Sequence, residues 1–192
     1  SSTSRAGMLC YTQQPKDGNI KGVVIASEAC GSADATLIVN NPRDTMRELL
    51  IELFPEPAIE FGIHPTAQID PSVKLPEQVY VGPYAIISEG VSLSDGVTIA
   101  SHAVNAGVSI GQDTEIGAHV FIERKVRIGS RCKISPHAVI GTKGFGYDRV
   151  GDGWQLFPQV ASVVVGDDVD VGPHTIVDRG ALNDTNIGRG VI

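Results

Sequence analysis

The chain has 192 residues, 42% of them hydrophobic, and a formal net charge of -7 at pH 7. That length suits one medium domain or two small ones with a real core, and an acidic balance without a basic cluster argues against nucleic acid, whose phosphates need concentrated Lys and Arg. With no run of about 18 apolar residues and no basic segment leading an apolar one, no membrane insertion and a cytoplasmic location are expected.

Three cysteines, Cys10, Cys30 and Cys132, lie far apart and form no C-x-x-C. Reduced thiols are expected, rather than a disulfide framework or a structural zinc site.

In chain order, the first predicted elements are short β-branched runs, "GVVIA" at 22–26 and "ATLIV" at 35–39. Asn41 and Pro42 then read as an N-cap and first turn, followed by Met46, Leu49, Leu50 and Leu53 at helical spacing. Residues 1–57 are read as a small α/β domain that is incomplete, ending at "FPEP", where two prolines make a joint.

From Ile63 the sequence repeats every six residues: Ile63, Ile69, Leu75, Val81, Ile87, Leu93 and Ile99. One residue is missing around 106–109, and the beat resumes at Ile110, Ile116, Ile122, Ile128, Ile134 and Ile140, then at Val165, Val171, Val177 and Ile187. Four places after each aliphatic stands a small or β-branched residue, as at Ala85, Val97, Thr114, Val126, Cys132 and Ala138. No 3.6-residue helix keeps a six-residue spacing on one face, and a flat strand does not need a turn every sixth place. The spacing predicts a three-sided parallel β-helix over 58–192, with coils of about 18 residues stacked at about 4.8 Å. Cys132 falls in the inward register and reads as a core thiol, and Asp167 and Asp168 read as corner residues.

His102, His119 and His137 occupy the fourth hexad position, with Tyr84 at the same place, so they are expected in a column along one outer edge, about 5 Å apart. His174 also holds a fourth position, but the interruption before Val165 hides which edge it joins. A metal site is one reading of the column, and an exposed or intersubunit edge is the favoured one.

The interruption, "GTKGFGYDRVGDGWQLFPQ" from Gly141 to Gln159, predicts an inserted loop over about 141–162. It holds the chain's single Trp, two of its five Phe, and Tyr147. Long loops in compact repeats are functional or disordered, and this aromatic content favours order.

The hexads together with "GFGY", "VGDDVDVGPHTIVDRGALNDTNIG" and "FGIHPTAQID" resemble the UDP-3-O-(3-hydroxyacyl)glucosamine N-acyltransferases of lipid A biosynthesis, which are hexapeptide-repeat acyltransferases. The resemblance implies a mainly β fold, a left-handed parallel β-helix with a small N-terminal α/β domain. It implies transfer of an (R)-3-hydroxyacyl group from acyl carrier protein to the 2-amino group of UDP-3-O-acylglucosamine, without a cofactor, by a homotrimer. The family's uracil-binding pattern, F-x-x-N-P-x-Y, matches "YTQQPKD" in part: Tyr11 stands for the first ring, Gln14 for the amide, and Asp17 replaces the second ring. The further substrate-binding candidates are Phe145, Tyr147, Trp154, Asp178 and Arg179. The segment that carries the family's general-base histidine, D-N-Q-x-x-I-A-H-N, has no counterpart among these 192 residues, so no catalytic residue is assigned. The alternative is a non-catalytic or γ-carbonic-anhydrase-like β-helix, although the latter class uses a paired H-x-x-x-x-H that this sequence lacks.

Overall fold

A computed structural model describes residues 8–12, 20–30, 33–101, 104–105 and 107–192. The chain divides into two compact units, Ser1–Ala58 and Ile59–Ile192.

The first unit is a parallel three-stranded sheet in the order β1 (Met8–Thr12), β2 (Ile20–Ala26) and β3 (Ala33–Ile38), followed by α1 (Pro42–Leu53). Val24, Ile25 and Ala26 are buried on β2, and Met46 is the helix's buried apolar anchor. The helix begins where its sequence says it should. The Asn41 side chain accepts from the Asp44 N–H at 3.3 Å, and Pro42 fills the first turn, where a missing N–H costs nothing.

The second unit is a left-handed parallel β-helix whose strands line up in three parallel sheets, one per side. Successive coils place Val81, Ile99, Ile116, Ile134 and Val171 in register on the first side. On the second side Ile69, Ile87, Asn105, Ile122, Ile140 and Val177 align. Leu93, Ile110, Ile128, Val165 and Ile187 align on the third. These aliphatics and the small residues four places on form one continuous buried core. Asn105 takes an aliphatic register position, and Ile110 follows it after five positions instead of six, which accounts for the missed beat.

Eight hexads turn a corner at a non-glycine fourth position with a left-handed backbone: Tyr84, Asp113, His119, Lys125, Arg131, His137, Asp168 and His174 have φ between 54° and 68°. Pro83, Pro136 and Pro173 precede three of them, the pattern of a type II turn with Pro at its second place and a positive φ at its third. The one buried hydroxyl in the small register is also accounted for. Thr114 Oγ1 donates to the Gly129 carbonyl at 2.8 Å and accepts from the Cys132 N–H at 3.1 Å.

Candidate functional site

The beat stops at Gly141 for a local reason. A bulge interrupts the register between Ile140 and Thr142, and the strand runs on as Val139–Lys143 instead of turning the corner. Gly141 has φ 89°, and a methyl group there would lie 2.5 Å from Val126 Cγ2. The chain then leaves the coil, forms an antiparallel hairpin of Tyr147–Val150 with Gly153–Leu156, and rejoins the third side at Val163–Val165.

Three of the sequence candidates meet on this excursion. Phe145, Tyr147 and Trp154 line one hollow of about 370 Å³, with the Phe145 and Tyr147 rings 5.0 Å apart and tilted by 54°. Phe145 is 95% exposed and Trp154 70%, so the hairpin presents its rings outward instead of packing them on the helix below. Aromatic side chains this large are seldom left so exposed together.

Asp178 and Arg179 lie on the neighbouring strand, Ile176–Arg179, and the structure gives them different roles. Asp178 faces the start of the excursion, with Oδ2 3.1 Å from where a Gly144 β-carbon would stand. Arg179 turns inward. Its side chain is 9% exposed, its Nε donates to the Gly141 carbonyl at 2.6 Å, and Nη2 pairs with Glu123 Oε2 at 3.2 Å. The guanidinium thus ties the bulge to the preceding coil. Glu123 and Gln159 take part in this framework without having stood out in the sequence. Gln159 is signalled only by the "PQ" that closes the aromatic segment.

In the first unit Tyr11 is 47% exposed and lines an open hollow of about 1040 Å³ with Asn41, Arg43, Arg47 and Phe54. The hollow runs along the whole of α1, with Asp44 and Glu56 also on its wall, and Arg47 is paired with Asp44 at 3.2 Å. Gln14 lies outside the described residues.

The histidine column is present, and His174 belongs to it. His119 and His137 stack at 4.8 Å between centroids with planes 8° apart, and His137 and His174 at 4.8 Å with planes 1° apart. His102 lies outside the described residues. Imidazole lone pairs lie in the ring planes, so rings stacked in parallel do not converge on one ion. Among the described residues no three His, Cys, Asp or Glu side chains are grouped to hold a metal. Cys132 is 2% exposed, burial pushes its thiol up, and Sγ donates to the Gly166 carbonyl at 3.1 Å, all of which suit an inert core residue. No helix among the described residues is long and apolar enough to cross a membrane.

Residues 107–142 match the bacterial transferase hexapeptide family (six repeats). The chain is 40% identical over 139 residues to a UDP-3-O-acylglucosamine N-acyltransferase of Polynucleobacter asymbioticus, covering 70% of this chain and 39% of that one. It is 36% identical over 166 residues to the enzyme of the same name from Pseudomonas syringae pv. tomato, covering 86% and 47%. To that of Coxiella burnetii it is 37% identical over 158 residues, covering 81% and 46%. The chain spans about half the length, or less, of these curated relatives.

Proposed function

We propose that this chain, which belongs to the hexapeptide-repeat acyltransferases and is related by sequence to the UDP-3-O-acylglucosamine N-acyltransferases, serves in N-acylation of a UDP-activated 3-O-acylglucosamine in lipid A synthesis. The observation that carries the reading is the match to curated relatives at 36–40% identity across 70–86% of the chain. The acyl donor is an (R)-3-hydroxyacyl thioester on acyl carrier protein, the assembly is a homotrimer, and the setting is the cytoplasm.

The chemistry divides into tasks. A neutral amine attacks a thioester carbonyl, so a base must take its proton, donors must hold the oxyanion, and both substrates must be oriented. The residues here supply orientation. Tyr11, with Gln14, contacts the uridine end, and Arg43 in the same hollow is the cation nearest to hand for a phosphate, since Arg47 is paired with Asp44. Phe145, Tyr147 and Trp154 form an apolar wall for the acyl or pantetheine chain, and the exposure of these rings supports a partner surface beyond their own coil. Asp178 lines the base of that wall, and Arg179 holds its strand. No proton-transfer role is assigned, because the histidine segment that the resemblance calls for has no counterpart in this sequence.

The outer surface of the β-helix supports self-assembly. Ile86, Phe121, Val139 and Ile176 stand in register on the outside of the second side, whereas the first side carries Tyr80, Thr98, Glu115, Lys133 and Asp170. A parallel sheet with an apolar outer face is normally covered.

The test is titration calorimetry with two probes, a 3-hydroxyacyl-pantetheine and UDP-N-acetylglucosamine. Replacing 145–157 by a short turn should abolish binding of the first and leave the second intact. Unchanged binding of the acyl probe would overturn the acyl-wall reading.

A further inference from the structure

We infer that Gln159 is the positioning residue of the aromatic excursion: its carboxamide clasps the backbone of Gly144 and sets where Phe145, Tyr147 and Trp154 stand. Why that position matters rests on the acyl-wall reading; the clasp itself does not.

The two residues are fifteen apart, at the two ends of the excursion. Gln159 Oε1 accepts from the Gly144 N–H at 2.5 Å, and Nε2 donates to the Gly144 carbonyl at 3.1 Å. One planar amide thus meets both backbone groups of one residue, as a neighbouring strand would. The hairpin's ladder joins its two arms to each other, and the Phe157 N–H donates to the Gly146 carbonyl at 2.9 Å. The clasp closes the loop at its root. Just beyond it the chain is anchored again: the Val160 N–H donates to the Ala181 carbonyl at 3.0 Å, and Ser162 Oγ donates to the Lys125 carbonyl at 2.6 Å.

This arrangement explains the spacing of "GFG". A β-carbon on Gly144 would lie 3.3 Å from Gln159 Oε1 and 3.1 Å from Asp178 Oδ2, and one on Gly146 3.2 Å from Gln159 Nε2. Two glycines make room for the amide to lie flat against the chain, and Phe145 between them is left 95% exposed. Asp178 touches the same point from the adjoining strand, so the "GFGY" and "VDRG" segments are parts of one joint.

Gln is required for its two-sided hydrogen bonding. Leu, branched one carbon earlier and of similar bulk, makes neither bond. Glu at neutral pH keeps an acceptor for the Gly144 N–H but turns a second charged oxygen toward the Gly144 carbonyl; once protonated, its O–H restores the donor. Gln159→Leu and Gln159→Glu therefore separate shape from bonding.

The experiment uses the full chain. Trp154, its single tryptophan, reports the hairpin through time-resolved anisotropy, and hydrogen exchange reports the Gly144 amide. For Gln159→Leu at pH 7.5 the Gly144 amide should exchange roughly tenfold faster, the cost of losing about two neutral hydrogen bonds partly offset by relaxation. The fast component of the Trp154 anisotropy should grow, and far-UV circular dichroism melts of the β-helix should not move. Gln159→Glu should behave like Gln159→Leu at pH 7.5 and return to the wild-type anisotropy below about pH 4, where a carboxyl is protonated. Wild-type exchange and anisotropy in Gln159→Leu, or no recovery of Gln159→Glu in acid, would overturn the inference. If both respond as expected while acyl-probe affinity stays at the wild-type value, the clasp stands and the acyl-wall reading falls.

Discussion

A methyl group at Gly141 would meet Val126 Cγ2 at 2.5 Å in a backbone with φ 89°, so two independent costs coincide there. Gly141→Ala should destabilise the β-helix by about 2–4 kcal/mol, from strain in the positive-φ region and an overfilled core. Gly151, at the hairpin tip, has φ 60° and open space around its would-be β-carbon, so Gly151→Ala should cost only about 1 kcal/mol. Urea unfolding of the two variants measures the difference, and equal losses would mean that the Val126 contact does not matter. Single residues also show what the sequence could and could not reveal about the site. The aromatic cluster was legible because Phe145, Tyr147 and Trp154 crowd a segment that breaks the repeat. Gln159 was not legible, because its role depends on Gly144 returning to within hydrogen-bond reach after a fifteen-residue excursion. Arg179 could be read as charged and close to Asp178, yet its ionic partner is Glu123, two coils earlier on the same side, a pairing visible only once the coils are stacked.

Elements of this fold are hexads, and a hexad meets its neighbours along columns spaced one coil apart. This is why the period alone specified strands, corners and core positions: each interior aliphatic has one register it can occupy without turning outward. The columns that cross the interruption were hidden, since the number of excursion residues belonging to a coil is undetermined by spacing; His174 is the example, stacked on His137 although it comes 37 positions later in the chain. A second column shows how a corner is secured. Arg131 Nε donates to Asp168 Oδ1 at 2.6 Å and Arg189 Nε to Asp168 Oδ2 at 2.8 Å, so one carboxylate bridges two arginines from the coils on either side. The Arg131 hydrogen bond is the main cause holding the Asp168 carboxyl below its ordinary value of 3.8, with Arg189 adding to it. A depressed folded-state pKa gives stability that is present above the unfolded value and is lost as pH falls through the folded one. The wild type should therefore lose this contribution below about pH 3.8, the ordinary aspartate value. Asp168→Asn should melt lower at pH 7 and show a smaller further drop between about pH 5 and pH 2.5. Melting curves at the three pH values test this, and parallel losses in both proteins would sink it. Because the pair is exposed, added salt should shrink the pH 7 difference.

At the scale of the whole molecule, the three sides of the β-helix share one core and differ outside. Aliphatic interiors recur on every side, but the second side alone repeats apolar residues on its outer surface, from Ile86 through Phe121 and Val139 to Ile176. Ile86 and Phe121 are each 39% exposed and Ile176 64%, in a column along which the stacked imidazoles of His119, His137 and His174 form one bordering corner. The aromatic excursion leaves from the strand Val139–Lys143 of that same side. An apolar flat face and an apolar projection on one chain are unlike surfaces, and unlike surfaces on identical subunits join head to tail, closing a ring when the rotation permits. Phe121→Asp combined with Ile176→Asp should then lower the mass found by light scattering to that of a single chain, because a charge placed at the centre of an apolar contact is not solvated there. Lys133→Glu, which also alters charge but lies on the first side, should leave the mass of the assembly unchanged. If the wild type already elutes as a single chain, or if both variants dissociate alike, the second side is not the contact and its apolar column must be covered in another way.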